Sequence, residues 1–221
     1  MKNIAKKLKS LLLILLCVVL IIPALSMNVS AATQKQKAMA AYKKWLSQNY
    51  VRVIPKGTVI FDDWSYTKSK YSSTKASQVK FTVAYINNDS VPELVVYTKQ
   101  GHIQLFSVLT YKNGKIQRVY TSKGDSVFKG YFKKTGCFFV RSFTDGTPYY
   151  DRYCKMSGVK SSEQVRKFAY GYSNEADYFK GQQEISKSTY NSIVKKLRGS
   201  KSITRVTFYK NTKANRDNKL K

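Results

Sequence analysis

Cys137 and Cys154 are the residues whose chemistry the sequence positions most directly. Two runs rich in aromatic and β-branched residues flank Asp145-Gly146. That is the pattern of a two-residue type I′ hairpin, whose central positions need positive φ. With the turn there, Thr144 faces Thr147, facing residue numbers sum to 291, and Cys137 falls opposite Cys154. Alternation puts this pair, like Phe143/Pro148, on non-hydrogen-bonded sites, which suits Pro148 because it has no N–H to give. Facing Cα atoms there approach to about 4.5 Å, close enough for a disulfide. The expectation is a Cys137–Cys154 bridge.

Little else in the sequence points to catalysis. His102 is the sole histidine, which excludes a histidine-rich metal site and obliges any Ser-His-Asp triad to use it. It follows Gly101 at a turn signal, with no G-x-S-x-G motif nearby. Neither a P-loop nor a G-x-G-x-x-G run is present. The expectation is a non-enzymatic protein. A hydrolase built on His102 and Glu93 is a third reading, behind two binding readings.

Charge is the larger signal. The chain carries 40 Lys+Arg against 12 Asp+Glu, a formal charge of +28, and 17 Tyr, 11 Phe and 2 Trp. Its C-terminal stretch holds Lys195, Lys196, Arg198, Lys201, Arg205, Lys210, Lys213, Arg216, Lys219 and Lys221 against one acid, Asp217. Basic and aromatic residues also interleave at Arg118/Tyr120, Lys129/Tyr131 and Arg141/Phe143. A cationic face with exposed aromatics attracts anionic polymers: wall polymers, lipid head groups, acidic glycans. Nucleic acid ranks low, because an exported protein meets the wall first. The alternative is a protein- or glycan-recognition module working through an aromatic sheet face. The plainest reading is charge that serves only solubility.

Export is read from residues 1–31. Lys2, Lys6, Lys7 and Lys9 precede the unbroken apolar run Leu11–Leu25, and Val29-Ser30-Ala31 ends in the small residue a signal peptidase wants. Leu16 is too large for a lipoprotein signal at Cys17. An uncleaved membrane anchor is the alternative, although the run is short for a span of about 20 residues. Removing four lysines and no acid lowers the charge from +28 to +24. A paired set of cysteines agrees with an oxidising exterior.

The remaining residues, 32–221, read as one α+β domain with a basic C-terminal tail. Thr33–Asn49 is an amphipathic helix with a Thr33/Gln36 capping box and Ala38, Ala41, Tyr42, Trp45 and Leu46 inward. Val59–Phe61 reads as a strand, Asp62-Asp63 as a turn and Tyr66–Ser77 as a mobile polar loop. From Val79 to Lys155, strands alternate with turns at Gln100-Gly101, Asn113-Gly114, Lys133–Gly136 and Asp145-Gly146, predicting an antiparallel meander of about seven strands. Further strands are read at Gln164–Tyr172 and Tyr178-Phe179. Ser186 or Ser188 caps a second helix, with Tyr190, Ile193, Val194 and Leu197 as its stripe and Gly199 as its stop. Ile203–Tyr209 reads as a last strand before a polar tail.

Between the first two strands of the meander, Tyr85–Leu94 resembles the calcium-holding loop D-x-D-G-D-G-x-P-E-L of many exported bacterial proteins. Asn87, Asp89 and Glu93 keep oxygen-bearing positions, whereas Tyr85, Asn88 and Ser90 replace the first acid and two glycines. The resemblance implies a retained turn and a lost ion, since two carboxylates are few for calcium. Asp89 and Glu93 as paired acids lack the glycines that would position them. No cofactor is expected. Tyr111–Lys115, Lys155–Gly158, the Ser186–Asn191 helix start and Tyr209–Thr212 extend the likeness to a group of exported β-rich proteins of Gram-positive anaerobes. It implies secretion and a β-rich domain, and no activity.

Overall fold

A computed structural model describes residues 32–62, 65–68, 73–144, 148–171 and 174–221. The leader, Asp63, part of the Tyr66–Ser77 stretch, the Asp145-Gly146 turn and Tyr172 lie outside the described residues. Gln34–Lys221 forms one compact unit, and among the described residues no helix is long and apolar enough to cross a membrane.

Two antiparallel sheets dominate an α+β architecture. The first contains β5 (Lys80–Ala84), β6 (Glu93–Gln100), β7 (Ile103–Lys112), β8 (Lys115–Thr121) and the two-residue β15 (Tyr209–Lys210), in the order β15-β5-β6-β7-β8. The second contains β9 (Ser126–Phe132), β10 (Cys137–Phe143), β11 (Tyr149–Ser157), β12 (Lys160–Ala169), β13 (Ala176–Lys180) and β14 (Gln183–Glu184), each beside the next. Two small ribbons pair β1 (Tyr50–Val51) with β4 (Thr74–Lys75), and β2 (Val59–Asp62) with β3 (Ser65–Lys68). The stretch expected as a mobile loop therefore contains two strands and the 3-10 turn Ala76–Gln78.

Helix α1 (Gln34–Leu46) explains why the first sheet reads as nearly continuous apolar runs. Leu94, Val96, Leu105 and Leu109 pack with Ala38, Tyr42 and Leu46 of α1. Val95, Phe106 and Val108, which alternate with them, join Phe128, Phe138, Val140 and Cys154 of the second sheet. Both faces of the first sheet are buried, so its strands lose the polar half of the usual alternation. Helix α2 (Lys187–Arg198) begins at Ser186, whose hydroxyl accepts the Thr189 N–H at 3.1 Å, and ends at Gly199 with φ +59°. Its Tyr190 packs on Tyr153 and Tyr178 of the second sheet.

The cysteine hairpin corrects the sequence-based alignment. Strands β10 and β11 pair with facing numbers that sum to 292: Cys137 lies opposite Lys155 and Cys154 opposite Phe138. Thr144 N–H donates to the Pro148 carbonyl at 3.1 Å, so three residues separate the last pair. A shift of one residue exchanges the faces of a strand. Cys154 enters the core between the sheets, Cys137 takes the opposite face, and both are buried free thiols.

Asp151 gives the physical reason. In the observed register it faces Arg141, and the two form a bidentate pair at 2.7 and 2.9 Å. Phe139 meanwhile stacks on Tyr153 at 4.9 Å. The expected register would set Asp151 opposite Val140, on the apolar face between the sheets, where a carboxylate has no partner. Burial pushes both thiols up to about 12, and the thiolate is the reactive form. An alkylating reagent is therefore expected to modify neither Cys137 nor Cys154 in the native protein and both in urea. Reduction of the native protein is expected to add no mass; a two-dalton gain would restore the bridge.

The C-terminal stretch is not a loose tail, and 203–209 is not a continuous strand. Thr204 exchanges both backbone hydrogen bonds with Tyr131 of β9, at 2.8 and 3.1 Å. Tyr209 and Lys210 then pair with Phe81 and Lys80 of β5. Asn211 is buried and its side-chain NH2 donates to the Leu46 and Ala76 carbonyls. Helix α3 (Lys213–Lys219) follows, ending beside buried Leu220.

Candidate functional site

The strap formed by 203–208 crosses from the second sheet to the first, and a groove of about 460 Å³ opens beneath it. Its walls carry Lys80 from β5, Tyr97 from β6, Gln104 from β7, Lys129 from β9, and Arg205 and Phe208 from the strap. Half-buried Tyr97 and Phe208 meet with ring centroids 5.7 Å apart and planes tilted by 46°. The Tyr97 hydroxyl donates to the Gln104 side-chain carbonyl at 3.1 Å. Burial, and then Asp125, raise the Tyr97 pKa, so the ring keeps its proton at neutral pH.

A β-bulge brings Lys129 to this place. Phe139 pairs with Gly130 but the next residue, Val140, pairs with Phe128, which leaves Lys129 as the extra residue on β9. A bulge re-aims a side chain and bends its strand. Gly130 holds φ +145°, and a Cβ there would meet the Thr204 carbonyl oxygen at 2.5 Å. Only glycine lets the strap seat this closely.

The electrostatics are lopsided. Lys80 and Lys210 face each other across β5 and β15, an arrangement that costs stability when nothing neutralises it. Lys129 and Arg205 add two exposed cations. None of the four has an ion-pair partner among the described residues. Lys80 instead sits 6.0 Å from the Tyr97 ring centroid.

The ten C-terminal cations do not form one patch. Arg205 lines the groove, and Lys210 faces the groove's Lys80 across β15 and β5. Lys195, Lys196 and Arg198 line the exposed side of α2, with Lys201 exposed just beyond it and Lys221 at the end. Within α3, Lys213 pairs with Asp217, and Lys43 of α1 pairs with the same carboxylate and docks the helix. Arg216 donates to the Asn211 side chain at 2.9 Å, and Lys219 lies 4.5 Å over the Tyr209 ring. The hydrogen bonds from Lys213 and Lys43 pull the Asp217 carboxyl down to about 2.

The interleaved aromatics of the sequence are mostly interior. Tyr131 is buried, and Tyr120 stacks on Phe106 and meets Phe138 edge-on. On the second sheet, Arg141, Arg152 and Arg166 cover Tyr149, Tyr150 and Phe179 and are balanced by Asp151 and Glu163. Those cations are spent on the fold, and the groove cations are not. Sequence reasoning named Lys129 among the interleaved basic residues but missed Lys80, Tyr97, Gln104 and Phe208. The available signal was Gly130 inside an otherwise regular strand, which marks a bulge or a close backbone approach.

The calcium-like loop has a different occupant. Asn87 Oδ1 accepts the Asp89 N–H at 2.9 Å, which fixes the amide so that its nitrogen points the other way. That nitrogen donates to Asp89 at 2.8 Å and to Glu93 at 3.0 Å. A hydrogen-bond donor thus stands where oxygens would have to converge on a cation, and Asn87, Asp89 and Glu93 do not fit calcium. Glu93 is wholly buried and also accepts the Ile86 N–H at 3.0 Å. Among the described residues no cluster of three metal-ligating side chains occurs. His102 lies on the exposed turn between β6 and β7.

No family model matches the chain, and neither a curated protein nor a solved structure does.

Proposed function

We propose that this chain is an exported, non-enzymatic protein held at the cell surface by anionic polymer, and that the groove under the 203–208 strap is its point of contact. The observation that carries this reading is the set Lys80, Lys129, Arg205 and Lys210, gathered from three elements of the two sheets and the strap with no ion-pair partner among the described residues. Among the described residues Lys129, Arg205 and Lys210 pair with neither a carboxylate nor a ring, and Lys80 has only the Tyr97 ring beside it. The leader and the net charge of +24 that its removal leaves support the same reading. The scaffold is read as two antiparallel meanders with a helix on each outer face.

Attraction of this kind is long-ranged and screened by salt, with a screening length of about 10 Å at 0.1 M and about 3 Å at 1 M. Binding to isolated cell walls is expected to weaken by about tenfold or more across that interval. Cosedimentation measures it. Binding that ignores salt, or no binding, counts against the reading.

A further inference from the structure

The groove has features that charge alone does not require. Its volume of about 460 Å³ falls within the range of small-ligand sites. Beside the cations it presents two rings, a hydroxyl and a carboxamide, the last two joined by the 3.1 Å hydrogen bond. Cations satisfy acid groups; hydroxyl and carboxamide groups exchange hydrogen bonds with alcohols; ring faces take the C–H surface of a sugar. The 46° tilt between Tyr97 and Phe208 makes a corrugated wall. A chair-shaped ring fits such a wall better than a flat base, which calls for a parallel platform.

We infer that the groove binds one acidic saccharide unit of an anionic glycan. The sugar ring lies against Tyr97 and Phe208, a hydroxyl meets Gln104, and the carboxylate or phosphate is held by Lys129 and Arg205. This rests on the anionic-polymer reading and adds the ligand class to it. Arg205 supplies two parallel N–H donors to the acid group, and the bulge at Lys129 sets the second cation opposite the strap.

Titration calorimetry on the full chain tests it with four probes: oligogalacturonate, neutral dextran oligosaccharide, polyphosphate and oligothymidylate. Oligogalacturonate is expected to bind, and dextran is not. Arg205→Ala and Lys129→Ala, both at exposed positions, are each expected to weaken oligogalacturonate by about tenfold. Phe208→Leu, which keeps apolar volume and removes the ring, is expected to weaken oligogalacturonate several-fold and leave polyphosphate unchanged. Lys195→Ala with Lys196→Ala, outside the groove, is expected to change oligogalacturonate affinity little.

If Phe208→Leu and Arg205→Ala bind oligogalacturonate as the wild type does while walls still bind, the saccharide site is wrong and the charge reading stands. Preference for oligothymidylate overturns the saccharide in favour of nucleic acid. Should oligogalacturonate, polyphosphate and walls all fail to bind, the anionic-polymer reading itself falls.

Discussion

Gly130→Ala is expected to destabilise this protein by about 2–5 kcal/mol and to remove groove binding together with it. Two costs act at one position. The φ of +145° is strained for any residue with a Cβ, and that Cβ would stand 2.5 Å from the Thr204 carbonyl oxygen and 3.0 Å from Ile203 Cγ1. Backbone atoms cannot swing aside as a lysine tip can. The strap must lift, and with it go the Tyr131–Thr204 hydrogen bonds and the placing of Arg205 and Phe208. Gly181→Ala is the control. Gly181 also has positive φ, +61°, but open space around it, so only the backbone cost of about 1 kcal/mol remains. Urea unfolding of both variants, with binding measured where Gly130→Ala is folded, makes the comparison. Equal losses in the two variants would show that the strap does not press on Gly130.

Residues decided locally were legible in the sequence. Asn113-Gly114 adopts φ of +53° and +76° between the paired Lys112 and Lys115, because a type I′ turn needs nothing beyond its own two residues. Ser186 and Gly199 bound α2 for the same reason. Asp145-Gly146 carries the same signal, yet the strands beside it follow Asp151 and Arg141. A partly buried ion pair and a face of Phe138 and Val140 outweigh a turn preference worth far less. The basic end misled by composition. Lys, Asn and Asp suggest a solvated tail, whereas Asn211 anchors it through hydrogen bonds to carbonyls more than 130 residues away in sequence and Leu220 is buried in the core with α1. The groove was hidden for the same reason, since Lys80, Tyr97, Lys129 and Arg205 share no local pattern and meet only when two sheets and a strap assemble. Of the site, Lys129, Arg205 and Lys210 were readable as charge, but their position was not.

Stability is expected to fall as pH rises from about 4.5 to about 8, and Glu93 is the cause. Burial, with a smaller contribution from Asp89, pushes its carboxyl up to about 8 from an ordinary 4.5. The Ile86 N–H and the Asn87 amide hold the charged form only in part. Between those two pH values the folded chain holds a proton that the unfolded chain has lost, so raising the pH favours unfolding. The contribution is complete below about 4.5, erodes through the window and is gone above about 8. At 1.36 kcal/mol per unit it amounts to about 3–5 kcal/mol. Ionisation also strikes the junction of the two sheets. Beside Glu93, the Tyr85 and Ile86 carbonyls accept the Lys134 and Gly136 N–H groups at 3.0 and 2.7 Å. Urea midpoints measured from pH 5 to 8 should therefore decline in the wild type and stay level in Glu93→Gln. If Glu93→Gln folds poorly, the infrared carbonyl band of a protonated acid in the wild type serves instead, and it should vanish as pH passes 8. A flat wild-type profile would show that Glu93 is already ionised in the fold across this range, and a slope that survives in Glu93→Gln would show that another group sets it.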